Sequence, residues 1–173
     1  MTRISETYPG DAGVVVALLM NHVVLRRGEG VFLQAGLLHA YLSGLGVEIM
    51  AASDNVLRGG LTPKRIDVPE LLSIVDTTPS NVPVLRPQTA GAVGEYEVPV
   101  PDFALRRVTL TGEPVAVAVQ GPAMVLATAG DVRVGTADQT MDVRVGAVIY
   151  ASADETELTL TGTGEAFIAM PGR

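Results

Sequence analysis

Met141-Asp142-Val143-Arg144-Val145 and Leu158-Thr159-Leu160-Thr161 alternate apolar with polar side chains. A period of two turns one side of a chain inward and the other to water, so both runs read as half-buried β-strands. Working outward, residues 115–119 are apolar throughout, as in a strand at the centre of a sandwich. Phe103 and Leu105 share one phase, Val108 and Leu110 the other, and the slip at Arg106-Arg107 predicts a bulge or an edge. After Phe103 come about seven strand-like runs at short spacing, the pattern of a compact antiparallel sandwich.

Towards the N-terminus, residues 14–19, 23–25, 31–34 and 47–51 read as strands, with Gly28-Glu29-Gly30 a turn between two of them. One helix is predicted after Asp67. Asp67 and Glu70 form a capping box, and Val68, Leu71, Leu72 and Val75 give the apolar stripe. Pro79, Pro83, Pro87, Pro99 and Pro101 interrupt residues 76–102, which read as a connector with one short strand at 82–85. The chain shows no internal repeat and no low-complexity tract.

Composition narrows the function classes. The chain has 173 residues, of which 47% are hydrophobic and 18% charged, so it is expected to bury a core in one domain or two small ones. The net charge is −7, with no basic footprint for nucleic acid. Cysteine is absent, which excludes disulfides, thiolate zinc sites and thiol catalysis. The longest apolar run, residues 14–20, is far short of the roughly 20 residues of a membrane helix. Residues 1–13 show no secretory pattern, and a cytoplasmic location with no membrane partner is expected. His22 and His39 are the only histidines, and Lys64 is the only lysine. Most of the negative charge falls after residue 75, whereas Arg58, Lys64 and Arg65 lie close together and suit an anionic ligand.

Three features between Gly36 and Lys64 bear on chemistry. In Gly36-Leu37-Leu38-His39, a glycine three residues ahead lets a tight turn aim the imidazole inward, or the histidine is simply buried and hydrogen-bonded. In Asp54-Asn55-Val56-Leu57-Arg58-Gly59-Gly60, the Asp-Asn and Gly-Gly pairs suit a loop. Either this is a surface turn with a solvated arginine, or the glycines let backbone approach a ligand that Arg58 grips through paired N–H groups. In Thr62-Pro63-Lys64, the lysine is a surface charge, a phosphate contact or a proton carrier. Arg26-Arg27 and Arg106-Arg107 read as solvated pairs.

The runs Tyr8-Pro9-Gly10-Asp11, Gln34-Ala35-Gly36-Leu37-Leu38-His39-Ala40-Tyr41-Leu42-Ser43-Gly44 and Gly46 through Lys64 closely resemble type I mannose-6-phosphate isomerase. The last run is the most specific. The resemblance continues through Asp67-Val68-Pro69-Glu70-Leu71 and, more loosely, Gly130-Asp131-Val132, residues 146–151 and Gly162-Thr163-Gly164. It covers essentially the whole chain and about the C-terminal half of the family's usual length.

That resemblance implies an all-β fold of cupin-type jelly rolls. An incomplete first roll would be followed by a complete C-terminal one, with one short helix between. Residues 1–75 would be the C-terminal part of the catalytic roll, 76–102 the Pro-rich connector and 103–173 the C-terminal roll. It also implies zinc-dependent interconversion of mannose 6-phosphate and fructose 6-phosphate by proton transfer through an enediol. Carried over by position, His39 resembles a zinc ligand, Arg58 and Lys64 catalytic residues, and Tyr41, Glu48 and Asp54 substrate-binding residues. The family's other zinc ligands, a Gln-x-His pair and a glutamate, belong to its N-terminal half, and Met20-Asn21-His22 does not reproduce that pair. The expectation is a chain inactive on its own, whose missing strands are replaced by a homodimer partner, by a separate N-terminal half chain, or by rearrangement of its first part. The alternative is a non-catalytic sugar-phosphate-binding or structural jelly-roll module.

Overall fold

The computed structural model describes every residue except Met1, Asp54, Ser80, Pro83 and Arg173. In chain order it contains α1 (Thr2–Thr7), α2 (Gly13–Leu19), β1 (Gly30–Val31), α3 (Val68–Ile74), β2 (Val84–Leu85), β3 (Gln88–Ala90), β4 (Val93–Tyr96), β5 (Ala104–Thr111), β6 (Val115–Ala118), β7 (Ala123–Gly135), β8 (Thr140–Val143), β9 (Val148–Ala151) and β10 (Glu157–Met170). The chain forms two compact units. The first comprises Met1–Leu25, Val31–Gly44 and Ala52–Pro83, and the second Arg26–Gly30, Leu45–Ala51 and Val84–Arg173.

The second unit is built on two long antiparallel strands, β7 and β10. Strand β10 keeps β7 on one flank and divides its other flank between β6 and β5. Strand β7 likewise divides its free flank between β8 and β9. Strands β4 and β3 continue outward from β5, giving the order β3-β4-β5-β10-β7-β8 with β6 and β9 off that path. Sharing each long strand between two short ones curls a single sheet around one apolar interior, consistent with the cupin-type all-β reading.

The alternations that suggested strands fill that interior. Leu158 and Leu160 are fully buried on β10, with Ile168 further along, and Val108, Val117 and Val125 face them from other strands. Of the alternating run at 141–145 only Val143 is buried; Met141 and Val145 are exposed. The register of β7 against β10 shifts between Glu165 and Ala166, so that Thr128 is left without an opposite residue. This bulge changes the inward phase of β7 from Ala123, Val125 and Ala127 to Val132 and Val134. At the next ladder positions the two backbones come very close. A Cβ on Gly164 would lie 2.0 Å from the Ala129 carbonyl oxygen, and one on Gly130 2.0 Å from that of Thr163.

Several expectations are corrected. Strand β5 runs without a slip between β4 and β10, so Arg106-Arg107 marks neither bulge nor edge. Arg106, Val108 and Leu110 share one inward phase, with arginine occupying a buried position. Its Nε donates to Glu95 Oε2 at 3.0 Å and an Nη to the Ala118 carbonyl at 2.6 Å, which meets the cost of burying the charge. Arg107 is not solvated either. It donates to Glu165, a buried carboxylate that also receives the Thr128 hydroxyl at 2.9 Å and Arg27 Nε at 3.3 Å. Residues 76–102 hold more than one short strand: β2 lies there, and so do β3 and β4 of the main sheet.

The first part departs furthest from the strand reading. Residues 14–19 fall in helix α2, residues 23–25 and 47–51 form no strand, and of 31–34 only Val31 does. The valine run suggests a strand, but the Asp11 carbonyl accepts the Val14 N–H and the Ala12 carbonyl accepts Val15 and Val16, winding the chain. A strand persists only with a neighbour to complete its ladder, and tertiary context decides. The helix at Val68–Ile74 forms as expected, with Asp67 accepting the Glu70 N–H at 3.2 Å. It is one of three among the described residues, where one was predicted. None of them is long and apolar enough to cross a membrane.

Candidate functional site

The candidate residues of the first unit sit on two segments. His39 follows the turn at Gly36, whose carbonyl accepts the Asp76 N–H at 2.9 Å. Gly36 has φ +86°, and a Cβ there would lie 2.9 Å from the Ile74 carbonyl oxygen. The turn does not bury the imidazole: His39 is exposed, and Nδ1 lies 3.2 Å from the Leu37 carbonyl. A carbonyl can only accept, so this contact is made by a proton on Nδ1. The Tyr41 ring meets His39 edge-on, with centroids 5.9 Å apart.

Arg58 begins the second segment and is exposed, as is Lys64, whose backbone N–H donates to the Thr62 hydroxyl at 3.2 Å. The glycines between them touch protein. A Cβ on Gly59 would lie 2.7 Å from Leu38 Cδ2, and one on Gly60 2.7 Å from Gly13 Cα. Gly59 is therefore the notch that receives Leu38, the residue before His39, and this contact joins the two segments. The idea that both glycines clear space for a ligand is replaced by a packing role.

Asp11, to which the sequence assigned no role, holds the far end of this loop. Its Oδ2 accepts the Leu61 N–H at 2.8 Å and its Oδ1 the Gly13 N–H at 2.7 Å. The one signal for it was its place in the Tyr8-Pro9-Gly10-Asp11 run. Glu48 is exposed and belongs to the second unit. Asp54 lies outside the described residues. In the second unit a cavity of about 670 Å³ opens beside Glu95, Tyr96, Phe103, Arg106 and Gln120, and none of the candidate residues lines it.

No family model matches the chain. Curated relatives do. Mannose-6-phosphate isomerase of Escherichia coli K12 is 39% identical over 163 residues, covering 93% of this chain and 42% of that protein. The Homo sapiens enzyme of the same name is 36% identical over 166 residues, covering 90% and 39%. Among solved structures, phosphomannose isomerase from Salmonella typhimurium superposes with a TM-score of 0.86 at 35% identity, covering 98% of this chain and 45% of that one. The chain is a relative of the mannose-6-phosphate isomerases, matching their C-terminal part. It spans less than half the length of the relatives it matches.

Another Salmonella mannose 6-phosphate isomerase structure, with a TM-score of 0.85, is a complex with substrate (f6p) and zinc. That Salmonella protein thus binds zinc together with its substrate. The donor set of the present chain does not fit zinc. Among the described residues no three His, Cys, Asp or Glu side chains converge as metal ligands. Catalytic zinc takes about three protein ligands and an open position, and His39 offers one nitrogen.

Proposed function

We propose that the chain forms one part of the active site of an isomerase that interconverts mannose 6-phosphate and fructose 6-phosphate. The observation that carries this reading is 39% identity across 93% of the chain, supported by the same backbone course at TM-score 0.86. The reaction removes a proton from one of C1 and C2, passes through an enediol as the former carbonyl oxygen gains a proton, and returns a proton to the other carbon while the hydroxyl on the first carbon loses one. It needs a proton carrier, cationic groups for the developing oxyanion, and donors for the phosphate. Lys64 carries the proton or contacts a substrate oxygen, and Arg58 stabilises the enediolate through its planar guanidinium. Tyr41, Glu48 and Asp54 contact substrate. His39 supplies one imidazole to a metal site whose other ligands do not gather around it among the described residues, so no catalytic step is assigned to metal held by this chain.

The burial pattern favours a second polypeptide segment over this part. Before Gly94, Gly13 is the only buried residue among those described. Leu19 is 86% exposed, Leu45 84% and Val24 78%. Burying a side chain of this kind contributes about 1.5–3 kcal/mol, which this part of the chain forgoes unless covered. The partner is the remaining portion of the relatives' fold, in the same or a separate chain; a second copy of this chain is the competing arrangement.

The test is an aldose–ketose assay. The purified chain with zinc and fructose 6-phosphate is expected to show no turnover, and co-expression with the N-terminal portion of the Escherichia coli enzyme to restore it. Mannose 6-phosphate, but not mannose, should raise the melting temperature, and Arg58→Ala should abolish that rise. Binding without complementation would favour the non-catalytic sugar-phosphate module. Absence of both would overturn the proposal and leave a structural role.

A further inference from the structure

We infer that Asp11 is a positioning residue for Arg58: its carboxylate straps the N-terminal segment to the loop 58–61 and fixes the point from which the arginine extends. The two oxygens are used separately, one on the Gly13 N–H at 2.7 Å and one on the Leu61 N–H at 2.8 Å. The donors lie far apart in sequence, so the contact is tertiary. Charge-assisted bonds from backbone N–H to carboxylate are among the stronger hydrogen bonds in proteins. Beneath the strap the chain passes backbone against backbone. A Cβ on Gly13 would sit 2.9 Å from Gly60 Cα, and one on Gly60 would sit 2.7 Å from Gly13 Cα. Neither position admits a side chain without parting the segments.

The strap also holds a strained residue. Leu61 has φ +54° and is the only non-glycine at positive φ among the described residues. Such a conformation is retained where the surroundings over-determine it, and it concentrates at sites of function. The N–H that Asp11 takes is that of Leu61 itself. Without it Leu61 is free to leave the left-handed region, Gly60 swings away from Gly13, and Arg58 loses its fixed origin. A guanidinium that reads a planar or phosphate oxygen pair depends on orientation, and small displacements cost binding and rate.

The consequence for sugar phosphate rests on the isomerase reading; the strap itself does not. Asp11→Asn keeps shape but turns an N–H donor toward one of the two backbone donors. In the full chain, the Leu61 amide is expected to exchange hydrogen about tenfold or more faster, with the Val125 and Ile168 amides of the sheet unchanged. Mannose 6-phosphate affinity by calorimetry should fall about tenfold, and in an Arg58→Lys background the same substitution should have little further effect. Gly60→Ala, which leaves the carboxylate intact, should release the loop in the same way. Unchanged Leu61 exchange in Asp11→Asn would overturn the strap. An equal loss of affinity with Arg58 or with Lys at that position would overturn the link to Arg58. Failure of the unaltered chain to bind mannose 6-phosphate would instead count against the isomerase reading, with the strap still judged by Leu61 exchange.

Discussion

Replacing Gly164 with alanine tests whether the close passage of β7 and β10 sets the curl of the sheet. Gly164 has φ +140°, and its added Cβ would lie 2.0 Å from the Ala129 carbonyl oxygen, 2.7 Å from Ala129 C and 2.9 Å from Gly130 Cα. Ordinary carbon–oxygen contacts begin at about 3.3 Å, so the facing backbone must retreat by roughly 1 Å. Two costs combine. The dihedral penalty is about 1–3 kcal/mol. Forcing a methyl into close-packed structure adds about 1–3 kcal/mol. Reduced freedom of the unfolded chain returns about 0.4–1 kcal/mol. The net expectation is a loss of about 1–6 kcal/mol. Gly112 supplies the control. It has φ +109° with nothing within 4 Å of its added Cβ, so alanine there meets the dihedral penalty alone. Urea unfolding followed by far-ultraviolet circular dichroism should place Gly164→Ala about 1–3 kcal/mol below Gly112→Ala, the overpacking cost alone. Equal stability of the two variants would refute the claim that backbone contact at Gly164 matters.

Other outcomes follow from the buried groups. Burial alone would raise the Glu165 carboxyl, but hydrogen bonds from Arg107 and Thr128 and the charges of Arg107 and Arg27 outweigh it and hold the group below its ordinary 4.5. Its contribution is therefore fully present above about pH 4.5 and is lost as pH falls through the folded-state value, so the melting-temperature gap between the natural chain and Glu165→Gln should shrink on acidification. Glu165→Ala strands the Arg107 guanidinium and should cost about 3–5 kcal/mol at neutral pH, measured by thermal unfolding. Leu160→Ala, at a fully buried position of β10, should cost about 2–5 kcal/mol by the same measurement. Asp67→Ala removes the acceptor of the Glu70 N–H and should cost about 0.5–2 kcal/mol, seen as faster amide exchange confined to α3.

The sequence reads best where one physical signal acts alone. Leu158 and Leu160 announce an inward face because their alternates are threonines, and Asp67 announces a helix start because its carboxylate accepts the Glu70 N–H three residues on. It reads worst where two signals share a position. Arg106 and Arg107 look solvated because charge is usually outside; here Glu95, the Ala118 carbonyl and Glu165 receive them, and those partners are distant in sequence. Gly59-Gly60 correctly marks a loop, but a glycine pair does not say what it lets approach. Leu38 and Gly13 fill that space, and only the folded chain brings them there. For the candidate site, the Arg58 loop and the His39 turn are legible, whereas the Asp11 carboxylate that reaches Leu61 is not.

The two units are ordered by different forces, and this bears on how a partner would act. The second unit is specified by apolar burial: its core residues lie on β5 to β10 and in the turn that carries Val119. The first unit is held largely by hydrogen bonds to backbone: the Asp11 carboxylate on the N–H groups of Gly13 and Leu61, and the Gly36 carbonyl on the Asp76 N–H. Hydrogen bonds of this kind fix geometry but contribute only about 0.5–1.5 kcal/mol net, or about 1.5–3 kcal/mol with a charged acceptor. Such a unit has its shape largely set before its apolar side chains are covered, yet little energy to hold that shape against opening. A polypeptide that covers Leu19 and Val24 would then supply stability and leave the positions of His39 and Arg58 to contacts already made. On this account, amide protection in the first unit rises on complementation, while protection in the second stays the same.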